Sequence, residues 1–428
     1  MAVPSRKLNG PIGSMIAMIG LCISAVHAQT PSSEPASMDG WPDWLVEAMG
    51  REATGIKDQS VELDTRGFST ILPGTSLSEP EFVDIGWYVT AGVGTETPME
   101  CWVFTSPIDA ATSVNNFADL SMETLAQNYG GLADNFLHFI DSGAIGNAPY
   151  LALEKVYTMG PEGERVIGFV KVRIASLDGL HLGCIHNEVG FRETFARGFE
   201  KFVRNASFEP QAEQPFLREI MRQSVDGQPI GYIEVTYAID EDGDYVVTTK
   251  DSTLSPVDSS TISASDGVAI GIWSPEGDLI LERSVMSSGG ELSMNLDLVP
   301  GEAGVYKVTG QMQGKNIELD IESDVAPMSD IELLLETQRL MADPDRNSLT
   351  AVAWEPSADP TRFLPGTLTL DSKEGPDVRG TLTMGPMSMS VRLDEFGSMH
   401  FASISIGAST MQMERVHMSG KPIMLDSE

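Results

Sequence analysis

The sequence predicts an α+β protein, an N-terminal α/β sandwich with an antiparallel sheet followed by a mainly antiparallel β domain. That second domain is expected to be a half-barrel or sandwich with one covering helix. Three observations carry the prediction. From about Phe68 to Phe208 strand-like runs mix with two helix-like runs. Beyond Met221 the chain breaks into short alternating segments separated by Gly, Asp and Pro turns. The strongly helical run in that half, "SDIELLLETQRLMADPD", carries its own start and stop signals. The expected layout is residues 41–208 for the α+β domain, 209–221 for a linker and 222–428 for the β domain.

The first 28 residues read as an export signal. Arg6 and Lys7 precede the short apolar stretch "GSMIAMIGLCISAV", and Val26 and Ala28 place cleavage before Gln29. Cys22 follows Leu21, where a lipoprotein signal carries a small residue, so a soluble exported chain is favoured over a lipid-anchored one. The apolar stretch falls short of the roughly 20 residues a membrane span needs, and no later stretch reaches it. The expected location is periplasmic or secreted. Loss of Arg6 and Lys7 leaves 25 basic and 62 acidic residues, a formal charge of −37. Such a field repels nucleic acid and anionic headgroups, so neither is an expected partner. The acids are scattered, as on a solvated surface.

Taken in order, "QTPSSEPASMDG" (29–40) reads as a flexible tether and "WPDWLVEAM" as a short docking helix, with Trp41, Trp44, Leu45, Ala48 and Met49 on one face. "FVDIGWYVT" and "ECWVF" read as strands. "SPIDAATSVNNFADLSMETLAQN" reads as a helix starting at Ser106 or Asp109. "YLALEKVYTM", "ERVIGFVKVRIAS" and "GLHLGCIHN" are consecutive strands with hairpin turns between them. In the next helix Phe191, Phe195, Phe199 and Phe202 form one stripe, a packing face. "EPQAEQPFLREIM" is the expected linker. Eight to eleven strands follow, interrupted by a helix with a capping box at Ser329 and Glu332 and an exit at Pro344. "TLTLDS", "TLTMG" and "MSMSVRL" set aliphatic or Met residues against Ser and Thr. A sheet with such faces can wrap a helix or line a cavity.

The densest cluster of reactive residue types is His181, Cys184 and His186. Strand alternation turns Cys184 and His186 one way and His181 the other. A zinc site would want convergent ligands and a fourth donor. After export Cys101 and Cys184 are the remaining cysteines, an even pair in an oxidising compartment. A Cys101–Cys184 disulfide is therefore expected, against free thiols, a metal ligand or a nucleophile. "DEDGDY" (240–245) spaces three Asp residues as a calcium loop does, but its glycine comes too early, and a hairpin turn is the simpler reading. The Met-rich end could suit Cu(I), yet Met387/Met389 and Met411/Met413 have the spacing of one strand face, which suits an adaptable core. "GQMQGKN" and "AGVGTETP" fail as phosphate and dinucleotide loops, and no Gly-x-Ser-x-Gly elbow occurs. No cofactor and no metal are expected, and no catalytic residue is assigned.

The run from "GWYVT" and "CWVF" through the Phe-rich closing helix and its final "ASF" resembles the PsbP-like α/β sandwich. The β domain is similar in texture to the half-barrels of LolA-like periplasmic lipoprotein carriers. Both resemblances imply non-enzymatic envelope proteins. The expected function is thus a periplasmic binding or scaffolding protein, for an apolar small molecule or another envelope protein. Leu333, Leu334, Leu335, Met384, Met387, Met389, Met411 and Met413 are the expected ligand lining. A hydrolase without a recognisable motif and a protein–protein adaptor are the alternatives.

Overall fold

The computed structural model describes residues 42–424, apart from 65–66, 106–109, 210–213, 303, 374, 376 and 386. The signal, the tether, Trp41, Ser106 and Asp109 therefore lie outside the described residues. The described chain is β-rich, with two large antiparallel sheets, a hairpin and four helices.

The first sheet has seven strands: β3 (Glu81–Val83), β4 (Gly86–Ala91), β5 (Met99–Phe104), β6 (Leu132–Ile145), β7 (Ala148–Met159), β8 (Val166–Leu177) and β9 (Leu180–His186). Their spatial order is β3-β4-β5-β9-β8-β7-β6. Period-2 alternation divides its side chains. Leu151, Leu153, Val170, Val172 and Ile174 face the helix Ala110–Gln127, which meets them with Val114, Ala118, Met122 and Ala126. Leu180, Leu182 and Ala175 face the helix Arg192–Arg204, where Phe195, Phe199 and Phe202 are buried as the stripe predicts. The hairpin of β1 (Lys57–Glu62) and β2 (Ser69–Gly74) covers the end of that layer and ties to it through Thr70 Oγ1, which donates to the Phe202 carbonyl at 2.5 Å.

The second sheet has fourteen strands. They are β10 (Leu217–Val225), β11 (Gln228–Ile239), β12 (Tyr245–Pro256), β13 (Ile262–Trp273), β14 (Leu279–Ser288), β15 (Glu291–Pro300), β16 (Val305–Met312) and β17 (Lys315–Glu322), then β18 (Ser348–Trp354), β19 (Phe363–Ser372), β20 (Val378–Met384), β21 (Met387–Leu393), β22 (Met399–Ile406) and β23 (Ser409–Gly420). Strands β10 to β17 form one meander and β18 to β23 another; β10 pairs with β23, leaving β17 and β18 as the two edges. The sheet does not close into a barrel. Between the meanders the helix Asp330–Ala342 packs Ile331, Leu333 and Leu340 into a core shared with β10–β12 and β18–β23. Ser329 Oγ accepts from the Glu332 amide at 3.0 Å at one end of this helix. At the other, Lys373 Nζ donates to the carbonyls of Leu340, Asp343 and Arg346.

Several expectations change. Fourteen strands replace eight to eleven, because runs such as "GVYKVTGQMQGKNIELDI" each fold back as a hairpin. Leu217–Met221 belongs to β10 and not to a linker, since its alternation pairs it with β11 and β23. "FVDIGWYVT" is two strands turned about Asp84 and Ile85. Strand β6 and the β1–β2 hairpin were not anticipated. Trp44 is 58% exposed while Leu45 packs on Val156 and Phe169, so the first helix docks through a narrower face than expected.

The two sheets share a core, in which Ile220, Tyr232, Leu254 and Ile262 pack with the 110–127 helix layer. One side chain pins the contact. Asp266 of β13, 1% exposed, accepts from the Ala111 and Thr112 amides at 2.9 Å, from Thr112 Oγ1 at 2.6 Å and from Ser252 Oγ at 2.7 Å. The carboxylate satisfies helix N-terminal donors from across the sheet boundary, where its charge also complements the helix dipole. Asp266→Ala is expected to lower unfolding free energy by about 3 kcal/mol, read from denaturant midpoints, because four donors lose their acceptor.

Candidate functional site

The predicted cluster on β9 resolves into a staple and two silent imidazoles. Register pairs Cys101 of β5 with Cys184 of β9, and the two are disulfide-bonded with Cα atoms 4.1 Å apart at a sequence separation of 83. His181 lies on the opposite face from Cys184, 5.3 Å from the Phe104 ring, with Nδ1 3.1 Å from Ser176 Oγ. Burial, helped by the Lys250 charge, holds its pKa down at about 4. His186 shares the Cys184 face but is packed against Phe191 and Phe195; burial and then the Lys171 charge bring it to about 3. Both rings are neutral at pH 7 and point apart. His400 pairs with Asp377 at 2.9 Å and His417 with Asn147 at 2.7 Å, both remote from β9 in sequence and sheet. Among the described residues, no three His, Cys, Asp or Glu side chains are grouped to hold a metal ion. The Asp240–Asp244 segment is a hairpin turn, in which Asp240 Oδ1 accepts from the Asp242 and Asp244 amides.

Seven of the eight expected lining residues meet in one cluster. Leu333, Met384, Met389, Met411 and Met413 are buried in the cluster under the 330–342 helix, with Leu335 and Met387 packed at its border. Leu334 is buried outside that cluster.

A cavity of about 30 Å³, partly open to solvent, lies at the start of the same helix. Val247, Thr249, Ala269, Ile270, Gly271, Trp273 and Glu282 line it from β12–β14, and Pro327, Met328, Asp330, Ala353 and Trp354 from the opposite wall. None of the eight expected residues contributes. Register builds the site: Val247 opposes Gly271, and Gly271 opposes Glu282, which sets these three on one face of neighbouring strands. A bulge between Ile272 and Trp273 then swings the indole over Gly271. A Cβ at residue 271 would stand 2.7 Å from Trp273 Nε1, so glycine keeps that space clear. Trp273 is 3% exposed and its Nε1 has no hydrogen-bond partner. Burial pushes the Glu282 carboxyl well above the usual range, with Asp330 and Glu355 adding like charge. Burial likewise lifts Glu355 to about 7, against the pull of the Ser357 hydroxyl and amide. The lining thus offers an indole donor and the carboxyl groups of Glu282 and Asp330 between apolar walls. One signal for it was present in the sequence: Glu282 has the parity of Ser284 and Met286, two of the three buried positions of β14.

No protein-family model and no curated protein matches this chain. Among solved structures it is similar to a β-barrel-like protein of the domain of unknown function DUF1849 from Brucella abortus. That match has 13% identity over 47% of this chain and 96% of the other, at a TM-score of 0.38. It is also similar to cyanobacterial PsbP (CyanoP) from Synechocystis, with 11% identity over 37% of this chain and 98% of the other, at a TM-score of 0.26. The second agrees with the PsbP-like resemblance and, like it, brings no signature. Likenesses this distant carry neither site residues nor activity to this chain.

Two measurements follow from this chemistry. Replacing both Cys101 and Cys184 by Ala is expected to cost about 4 kcal/mol of unfolding free energy, because the reduced unfolded chain regains the freedom of a long loop. Chemical denaturation under non-reducing conditions reads this directly. Glu355 has a folded pKa above its unfolded one, so its contribution is present at low pH and is lost as pH rises from about 4.5 to about 7. His181 and His186 shift stability the other way at lower pH, so the difference between variants isolates Glu355. Glu355→Gln should overtake the parent progressively between pH 5 and pH 7.5, by up to roughly 3 kcal/mol. A constant difference across that range would exclude the titration.

Proposed function

We propose that this chain is an exported, non-enzymatic binding or scaffolding protein of the bacterial envelope, which holds an apolar ligand between the fourteen-stranded sheet and the 330–342 helix. One observation carries the reading: the helix lies on the inner face of a sheet whose β17 and β18 edges are not hydrogen-bonded to each other. An open sheet can part along that line, whereas a closed barrel would have to break a ladder. The core under the helix is rich in methionine, whose unbranched thioether side chains refit around different shapes. The Cys101–Cys184 bond supports export, since disulfides persist in oxidising compartments. Among the described residues, no helix is long and apolar enough to cross a membrane. The −37 charge of the processed chain disfavours anionic headgroups as docking partners.

Native mass spectrometry of the protein isolated from its own cell envelope tests the reading. An added apolar mass that is released on unfolding is the expected result. Recovery from the cytoplasmic fraction with both cysteines reduced would overturn the assignment to the envelope.

A further inference from the structure

We propose that the cavity at the start of the 330–342 helix binds the terminal hydroxyl group of an aliphatic ligand, with Trp273 Nε1 donating to the hydroxyl oxygen and Glu282 as its second partner. This rests on the apolar-ligand reading above and names the chemistry that would anchor such a ligand.

Size comes first. A cavity of about 30 Å³ has room for one or two water-sized groups, which matches a hydroxyl with its first carbon. Hydrogen bonding comes second. The Trp273 N–H is a donor with no partner inside the lining, so the occupant must present an acceptor. A primary ammonium has three donors and no acceptor, and would leave that N–H unpaired. A carboxylate would accept, but its charge would be buried where burial and like charge already disfavour the ionised forms of Glu282 and Glu355. The half-charge of one helix N-terminus does not offset that cost. A hydroxyl accepts from the indole and meets Glu282 in either protonation state. It donates to an ionised carboxylate and accepts from a neutral one.

The route for the remainder of the ligand is laid out by the walls. Val247, Met328 and Ala353 belong to the core under the helix, whereas Trp273 and Trp354 belong to the core of β13–β19. The cavity sits where these two cores meet and is partly open to solvent, so the rest of an aliphatic ligand would leave through that opening. Gly271 fits the same reading, because any side chain there would occupy the space beside Nε1. Water also satisfies an indole N–H, and the experiment separates it from a ligand.

The intact, disulfide-bonded chain is titrated with 1-hexanol, hexylammonium, hexanoate and hexane, following tryptophan fluorescence and the melting temperature. The expected result is binding of 1-hexanol at least tenfold tighter than that of the other three. Trp273→Phe, which keeps an aromatic ring and removes the donor, should erase the preference for the alcohol. Glu282→Gln, which keeps a donor and an acceptor, should retain it, while Glu282→Leu should lose it. The melting temperature of each variant without ligand reports whether it folds, and the Glu282 pair serves if Trp273→Phe does not. Equal binding of all four probes would overturn the polar anchor and leave the apolar-ligand reading standing. Tightest binding of hexylammonium or of hexanoate would overturn it in favour of a charge site. Binding of none would mean that the cavity holds water alone, and would sink the apolar-ligand reading as well.

Discussion

The pairing of β10 with β23 is the constraint on which the rest of the structure depends. Within the larger sheet every other ladder joins strands that are neighbours in sequence. This one joins Leu217–Val225 to Met411–Gly420 and converts two meanders into a single curved surface. Closing so long a loop is entropically costly, and the cost is offset by burial on both faces of β10. Leu217 and Met221 enter the core under the helix, while Ile220 enters the core shared with the first sheet. The same strand therefore builds the helix pocket and docks the two sheets together.

Polar side chains reinforce that seam where they are buried. Glu219 of β10 accepts from Arg415 at 2.5 Å and from Ser398 at 2.6 Å, and Arg415 reaches Asp394 at 2.6 Å. Arg218, on the opposite face, donates to the Asn147 carbonyl and to Asp178. The Glu219–Arg415 group fixes the β10–β23 seam, while Arg218 and Asp266, which bonds the start of the 110–127 helix, fix how the sheets meet, because misplacing any of them strands a charge away from water. Trp273 departs from this rule, because its buried Nε1 has no hydrogen-bond partner among the described residues.

The disulfide and the acidic surface act on different parts of the free energy. The Cys101–Cys184 bond restricts the unfolded chain and leaves the folded sheet almost as it would be with two small apolar residues. The excess of carboxylates repels itself in the folded state. Arg192, which grips Glu154 through three hydrogen bonds, and Arg283, which grips Asp297 through two, are local relief within that field.

The sequence by itself determined the local structure. Period-2 runs gave the strands, the Phe191–Phe202 stripe gave a buried helix face, and Ser329 and Glu332 gave a helix start. These are near-neighbour patterns, read within a few residues. An even count of cysteines outside the expected export signal was enough to pair Cys101 with Cys184, although the counting said nothing about geometry. Tertiary structure alone decided the strand total, the β10–β23 closure and the capping of one sheet's helix by Asp266 of the other. It also decided the site. Leu333, Met389 and Met413, expected as lining, lie together in the core under the helix and not around this cavity. The cavity arose instead where a bulge, a missing Cβ at Gly271 and an inward Glu282 coincide across three strands. Such a coincidence depends on register between distant segments, and no window of sequence contains it.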